Sequence, residues 1–402
     1  MEGMEFEGLA ELLEPCLCDE FLASSWGRSY RHVRGRQGKF SCLLPWESLN
    51  EILTAHRLDY PRLRLMQEGT SLPTSSYIRH VGGGKGKSYI PRLLHVELAN
   101  QLRNGATLVL DAVDELHDAV RELSRDLERI FHERVQVNCY AGWRASRGFD
   151  LHWDDHDVFI LQVEGRKQWS IFGMTTPYPI KGGRDPIPRP THEPVWSGIL
   201  EDGDLLYIPR GWWHVAVPLD EPTLHLTVGI HNRTGAHFIQ WFSQRLVARE
   251  SFRKDLPRFQ SLAERNEHMK NLYRELLEEW DANLLDNYLR EMDAMAMPRP
   301  GVSLPWSASV DRIPNESDAL VRLNAARPLH LEVKDGVVEF ACNKKRWKFA
   351  AGALPLLRLL NTRRISTIAE LCNETKDELD EKTVRTFLRE LLVHGLVAIT
   401  RR

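Results

Sequence analysis

The chain has 402 residues, 42% of them hydrophobic and 27% charged, with a net charge of −3 at pH 7. This is the composition of a globular protein with room for two or three domains, and the near balance of charge excludes a generally basic nucleic-acid binder. Six scattered cysteines without a C-x-x-C spacing, an acidic start (Met1-Glu2-Gly3-Met4-Glu5) and no run of about 18 apolar residues exclude a disulfide scaffold, a signal peptide and a membrane span, so a cytoplasmic protein is expected.

Residues 1–60 read as short helices and turns, with Leu43 to Leu53 helical after Pro45. Short strands follow to Tyr89, interrupted by a glycine-rich loop from Gly82 to Ser88. That loop ends in Gly-Lys-Ser, but Val81 stands where a phosphate-binding loop needs glycine, so it is read as a flexible turn. Helical periodicity covers 91–103 and 112–133, where Leu116, Val120, Leu123, Leu127 and Ile130 form a stripe predicted to be buried. From Val135 onward strands dominate, at 135–142, 157–163, 167–172, 204–209, 213–217 and 223–230. Many short strands without helical crossovers indicate an antiparallel sandwich or barrel. Phe238, Trp241, Phe242 and Leu246, then Leu272, Leu276, Trp280 and Leu284, recur at helical spacing up to Met297. A linker rich in Pro and Gly leads to a hairpin turning at Asp335-Gly336, two helices and a closing strand at Leu396–Ile399, the pattern of a winged-helix-like module.

The chemistry concentrates in Gly148 to Lys167. His152 and Asp154, two apart, share a face if they lie on a strand, and His214 follows a tight Pro209-Arg210-Gly211 turn. Two histidines and one carboxylate make the facial triad of a non-haem Fe(II) oxygenase, with three positions left for cosubstrate and oxygen. His156 is a substitute ligand on the same face. His225 is the other candidate for the distal histidine, but its neighbours Leu224, Leu226 and Val228 favour a strand residue within the sandwich. Zinc is the rival metal, but no His-Glu-x-x-His helix occurs to supply a hydrolase base. Lys167 opens the next strand. If it points inward, a buried ammonium needs an anionic partner, and a dicarboxylate such as 2-oxoglutarate provides one. Parity alone leaves open that Arg166 or Gln168 faces inward instead.

Two blocks carry a resemblance. His152-Trp153-Asp154 leading through the apolar strand to Gln162-Val163-Glu164-Gly165-Arg166-Lys167, with Gly203-Asp204-Leu205-Leu206-Tyr207-Ile208-Pro209-Arg210-Gly211-Trp212-Trp213-His214, resembles the JmjC-type ribosomal oxygenases of the cupin superfamily. The resemblance implies a mainly β double-stranded β-helix (cupin/JmjC jelly roll) at 1–235, a helical dimerisation region and linker at 236–315, and a winged-helix-like domain at 316–402. It implies Fe(II) on His152, Asp154 and His214, 2-oxoglutarate on Lys167 with polar contacts from Asn138 and Thr227, and O2 as co-reactant. The expected activity is hydroxylation of a protein side chain, a ribosomal histidine or arginine by default, in a homodimer without direct nucleic-acid binding. A peptide natural-product precursor is an alternative substrate, demethylation of methyl-lysine an alternative reaction, and a silent cupin-like scaffold an alternative class. The bulky, basic loop Trp143 to Phe149 and the pair Trp212-Trp213 depart from the family pattern at the approach to the triad.

Overall fold

The computed structural model describes residues 8–82, 89–182, 186–309, 312–363 and 365–401. The loop 83–88, expected to be a flexible turn, and the acidic segment 1–7 lie outside the described residues. The chain forms two compact units, Met1–Asn232 and Arg233–Arg402.

The first unit opens with α1 (Leu9–Leu13), α2 (Cys18–Ser24), β1 (Arg31–Val33), α3 (Trp46–Ala55), β2 (Leu63–Gln67) and β3 (Thr70–Ser71). A hairpin of β4 (Ile78–Gly82) and β5 (Tyr89–Leu93) precedes α4 (His95–Arg103), β6 (Thr107–Leu110) and α5 (Asp118–Phe131). The predicted helix at 91–103 is therefore shorter, because Tyr89–Leu93 pairs as a strand. Val120, Leu123 and Leu127 of α5 are buried as their spacing requires. Ile130 is not: it is 46% exposed, because the helix ends one residue later and Phe131 stacks on Trp26 in its place.

Seven further strands complete the unit: β7 (Arg134–Gly142), β8 (Asp157–Glu164), β9 (Lys167–Gly173), β10 (Trp196–Leu200), β11 (Leu205–Ile208), β12 (Trp213–Pro218) and β13 (Thr223–His231). They form an antiparallel sheet in the order β1-β11-β8-β13-β7-β6-β2-β3 and a smaller one in the order β10-β9-β12. Alternate residues of a strand face opposite sides. One side of the large sheet (Val135, Val137 and Cys139; Phe159, Leu161 and Val163; Leu226, Val228 and Ile230) packs into the main core with the helices. The other side faces the small sheet, where Val158, Ile160, Leu206 and Ile208 meet Trp169, Ile171 and Leu200. This second core is incomplete: the register that aligns Asn138 with Thr227, and Tyr140 and Gln162 with His225, puts five polar or aromatic-polar side chains on that inner face.

Two glycines fix the turns around that face. Gly165, at φ +68°, joins β8 to β9, and a Cβ there would stand 2.1 Å from the Pro222 carbonyl oxygen. Gly203, at φ +91°, crosses the backbone of residues 35–36 so closely that a Cβ would lie 2.0 Å from the Arg36 oxygen. Only glycine fits either place.

In the second unit α6 (Gly235–Leu246), α7 (Leu262–Glu279) and α8 (Leu284–Met295) surround a small core of Phe242, Leu246 and Leu284. Then come β14 (Leu320–Leu323), β15 (Glu332–Lys334), β16 (Val337–Cys342), β17 (Lys345–Ala350), α9 (Leu354–Thr362), β18 (Ser366–Thr367), α10 (Ile368–Glu374), α11 (Glu381–Val393) and β19 (Val397–Thr400). Asp335 and Gly336 both have positive φ, 49° and 77°, as a two-residue hairpin turn demands. Their strands belong to the sheet β15-β16-β17, and the sheet β18-β14-β19 shares a core with α9, α10 and α11.

Candidate metal centre and cavity

His152, Asp154 and His214 come together: one ligand atom from each lies within 4.8 Å of the others. Strand parity is not what does this. Residues 151–156 form no continuous strand, and β8 starts only at Asp157. Instead the loop is clamped from the His214 side. His152 and His214 form an isolated bridge, the His214 N–H donating to the His152 carbonyl at 2.8 Å, and the Gly211 N–H donates to the Asp154 carbonyl at 2.8 Å.

The clamp is anchored by two buried carboxylates absent from the triad. Asp157 accepts the Arg210 N–H at 2.8 Å and a hydrogen bond from the Asn232 amide, which holds the 209–211 turn. Asp204 accepts the N–H groups of Gly35 at 3.0 Å and Glu201 at 3.1 Å, and His32 Nε2 stands 3.0 Å away. The Gly-Asp of the second block thus brackets β1 to the start of β11 and sets the path of the chain toward His214.

The donor set suits a divalent metal. His152 Nδ1 lies 2.8 Å from the Asp150 carbonyl and His214 Nδ1 2.9 Å from that of Trp212. A carbonyl can only accept, so each Nδ1 carries the proton and each Nε2 keeps its lone pair for a metal. Burial, with His152 alongside, pushes His214 down to about 4, so the ring is neutral at physiological pH. Burial alone would raise Asp154, but His214 and His152 outweigh it and hold the carboxyl below the usual range. Asp154 Oδ2 sits 3.6 Å from His214 Nε2. Three such ligands would leave the remaining positions of a divalent ion for cosubstrate and oxygen, the arrangement of a facial triad.

Beside the triad is a cavity of about 320 Å³ whose lining includes Tyr140, Phe149, Lys167, Trp169, His225 and Thr227. Lys167 points inward, 5% exposed, with its Nζ 5.9 Å from the centre of the Trp169 ring. Arg166 faces out to Glu221 at 2.9 Å. Lys167 has no ion pair with any described residue, and burial pushes its amine down to about 7. Along β9 it lies four residues from Ile171, the partner of His214, about 13 Å at roughly 3.3 Å per residue.

His225 differs from the sequence expectation in its surroundings. It is a buried strand residue, as expected, but it lines the cavity. Its ring stacks on Tyr140 at 4.9 Å and meets the edge of Trp169 at 5.6 Å. Burial, then the Lys167 charge, holds it well below 6.5. His225 Nδ1, Trp169 Nε1 and Gln162 Oε1 are buried without a hydrogen-bond partner among the described residues. The Trp169 N–H, an unpartnered donor on the cavity wall beside the unpaired Lys167, fits a polar, anionic occupant, whereas Gln162 lies outside the lining and its Oε1 can only accept.

Asn138 does not line the cavity. Its Oδ1 accepts from the Ala112 N–H at 3.0 Å, and its side chain hydrogen-bonds the Tyr140 hydroxyl. Tyr140, which shares Asn138's face two residues on, lines the cavity without standing out in the sequence, as do Arg64, Thr107 and Lys181. His156 packs against His231, ring centres 4.5 Å apart, outside the ligand group. Gly148 and Phe149 reach the cavity from the basic loop; Trp212 and Trp213 do not line it.

A double antiparallel sheet holding a two-histidine, one-carboxylate set defines a cupin-type metal site. Residues 115–238 match the JmjC domain, and the chain is similar to ribosomal oxygenases. It is 28% identical over 317 residues to the Drosophila persimilis bifunctional lysine-specific demethylase and histidyl-hydroxylase NO66, covering 74% of this chain and 44% of that one. It is 29% identical over 227 residues to Gallus gallus ribosomal oxygenase 1, covering 55% and 36%. The chain thus spans under half the length of these two relatives. The crystal structure of Escherichia coli ribosomal oxygenase YcfD shares the fold, with a TM-score of 0.56 and 17% identity over 96% of this chain and 98% of that one. YcfD has also been solved with cobalt and 2-oxoglutarate.

Proposed function

We propose that this chain is an Fe(II)- and 2-oxoglutarate-dependent oxygenase that hydroxylates a side chain of a polypeptide, with a ribosomal protein as the default substrate. The observation that carries the reading is Lys167: an unpaired, buried amine sharing one cavity with a His-Asp-His ligand set. The names of NO66, ribosomal oxygenase 1 and the cobalt and 2-oxoglutarate complex of YcfD point the same way.

In this reading the Nε2 atoms of His152 and His214 and a carboxylate oxygen of Asp154 hold the metal. When bound, Fe(II) supplies the chemistry by which O2 converts 2-oxoglutarate to succinate and CO2 and places one oxygen atom in a C–H bond of the substrate. Lys167 pairs with the far carboxylate of 2-oxoglutarate and fixes its reach toward the triad. Tyr140, held by Asn138, and Thr227 add polar contacts, so Asn138 acts through its neighbour. Ile160, Trp169 and Ala216 wall the cavity and exclude bulk water, which strengthens these ionic contacts.

Incubation with Fe(II), 2-oxoglutarate and a ribosomal-protein digest is expected to release succinate and add one oxygen atom to a single peptide by mass spectrometry. Absence of succinate release under all substrates leaves only the scaffold alternative. The name of NO66 joins demethylation to histidyl hydroxylation, so loss of a methyl group from a methyl-lysine peptide is the outcome that replaces hydroxylation with demethylation. The cytoplasm is the proposed compartment; no helix among the described residues is long and apolar enough to cross a membrane.

The division of the chain into an oxygenase domain at 1–235, a helical dimerisation region at 236–315 and a winged-helix-like domain at 316–402 belongs to the same proposal. Support for the dimer comes from α7: none of its 18 residues is buried, and Leu262, Met269, Tyr273 and Leu277 are each at least half exposed. An apolar stripe of that length calls for a cover, and a second copy of this helix provides a symmetric one. Light scattering is expected to give twice the chain mass, and Tyr273→Glu to halve it; a monomeric wild type removes the dimer.

A further inference from the structure

The second unit carries a cationic groove that the oxygenase chemistry does not use. Lys382, Arg385 and Arg389 sit at i, i+3 and i+7 on one face of α11, so they line up along the helix. Facing them across a cavity of about 720 Å³ are Arg312, Arg401 and Trp306. Arg385 is tied to both walls, to Glu381 at 2.7 Å and to the Pro314 carbonyl at 3.1 Å. Arg401 lies 5.1 Å over the Trp306 ring and 2.9 Å from Glu316. Arg312, Lys382 and Arg389 have no ion pair with any described residue, so the groove keeps a net positive charge. Residues 316–402 hold 16 Lys and Arg against 12 Asp and Glu in a chain that is negative as a whole.

The placement of the acidic residues decides between anionic partners. Asp377, Glu378, Asp380 and Glu381 are exposed at the N-terminal end of α11, and Asp380 caps it. A helix that reads duplex DNA inserts that end into the major groove, where four carboxylates would face phosphates. Single strands are held by stacking bases on open aromatic faces, but one face of Trp306 is covered by Arg401. A continuous phosphate backbone therefore fits poorly. Four of the five cations are arginines, whose planar fork matches a carboxylate with two parallel hydrogen bonds, and spaced carboxylates can alternate with the groove's own Glu316 and Glu381.

We infer that this groove docks an acidic segment of the polypeptide substrate, outside the residue that is modified. The inference rests on the reading of the chain as a polypeptide oxygenase and adds where the substrate is held. The test uses the full chain and a fluorescein-labelled peptide with glutamates at every second or third position, read by anisotropy. Binding is expected to weaken steeply with salt and to fall at least about tenfold in the double variant Lys382→Glu/Arg389→Glu. Substrate-independent 2-oxoglutarate turnover should be unchanged in that variant, and Lys382→Arg/Arg389→Lys should keep most of the binding. Unchanged peptide affinity in the charge-reversed variant overturns the proposal, as does tighter binding of a single-stranded 12-nucleotide RNA than of the peptide. Peptide binding with no succinate release by the wild type overturns the oxygenase reading and the groove's substrate role with it, whereas succinate release without peptide binding overturns the groove alone.

Discussion

His152→Ala and Asp154→Ala are each expected to reduce 2-oxoglutarate turnover at least about 100-fold, because loss of a direct ligand should cost more than the 10–100-fold typical of its supporting partners. The folded state should survive both changes. His152 keeps its place through backbone bonds to His214, which alanine retains, and Asp154 contributes its backbone carbonyl to the Gly211 clamp whatever its side chain. Thermal unfolding of the metal-free proteins should therefore stay within a few degrees of wild type, while the metal-induced rise in unfolding temperature disappears. Turnover retained in both variants would remove the triad. A large loss of stability in the metal-free variants would instead recast the pair as structural. An Asp157→Ala variant gives the useful contrast. It removes a carboxylate that touches no ligand but holds the turn before His214, so it should lower stability and metal affinity together.

The residue types of the site could be read from the chain, and the means of bringing them together could not. Two histidines, an aspartate and a lysine stand out because charged and polar groups interrupt strands that are otherwise apolar, and the strands 157–164, 167–173, 205–208, 213–218 and 223–231 match their expected spans within about a residue or two. The pairing of His152 with Asp154 looked like strand parity, yet the structure holds them in a loop through Gly211 and His214, contacts some 60 residues away in sequence. No local pattern encodes such contacts. His225 was hard to place for another reason. In Leu224-His225-Leu226-Thr227-Val228 the main core lies on one side and a second, partly polar core on the other, so alternation does not say which side holds a cavity. The strand Trp196–Leu200 has no clear sequence signal: it follows a proline-rich stretch, its burial alternates weakly and it pairs within the short sheet. Asp204 gave the opposite lesson. It sits in the block that announces His214, but its work is to tie β1 to the β10–β11 turn.

Lys167→Met is expected to separate cosubstrate binding from metal binding and from stability. A buried lysine with no counter-ion destabilises the empty protein: its amine sits at about 7 against an ordinary 10.5. The folded state then holds fewer protons than the unfolded chain between these values. The penalty is full below about pH 7, on the order of 5 kcal/mol, shrinks as pH rises and vanishes above the ordinary lysine value. Methionine fills similar volume without the charge, so Lys167→Met should raise the unfolding temperature of the empty protein at pH 7 and flatten its increase toward pH 9. The same change removes one partner of the proposed ion pair with 2-oxoglutarate, an expected loss of about 3 kcal/mol or more and hence about 100-fold in affinity. The Fe(II) requirement should not move, since Lys167 lies four residues along β9 from the partner of His214. In the wild type, the far carboxylate must find Lys167 protonated, so 2-oxoglutarate binding takes up a proton above pH 7. Affinity should fall up to about tenfold per pH unit there, and calorimetry in buffers of different ionisation heat should show the uptake. His225 and Tyr140, which line the same cavity, contribute nothing to that slope: burial keeps the imidazole neutral and the phenol above its ordinary value. A Lys167→Met protein that binds 2-oxoglutarate as wild type does, or a wild-type affinity flat from pH 7 to 9, assigns the far carboxylate to another residue.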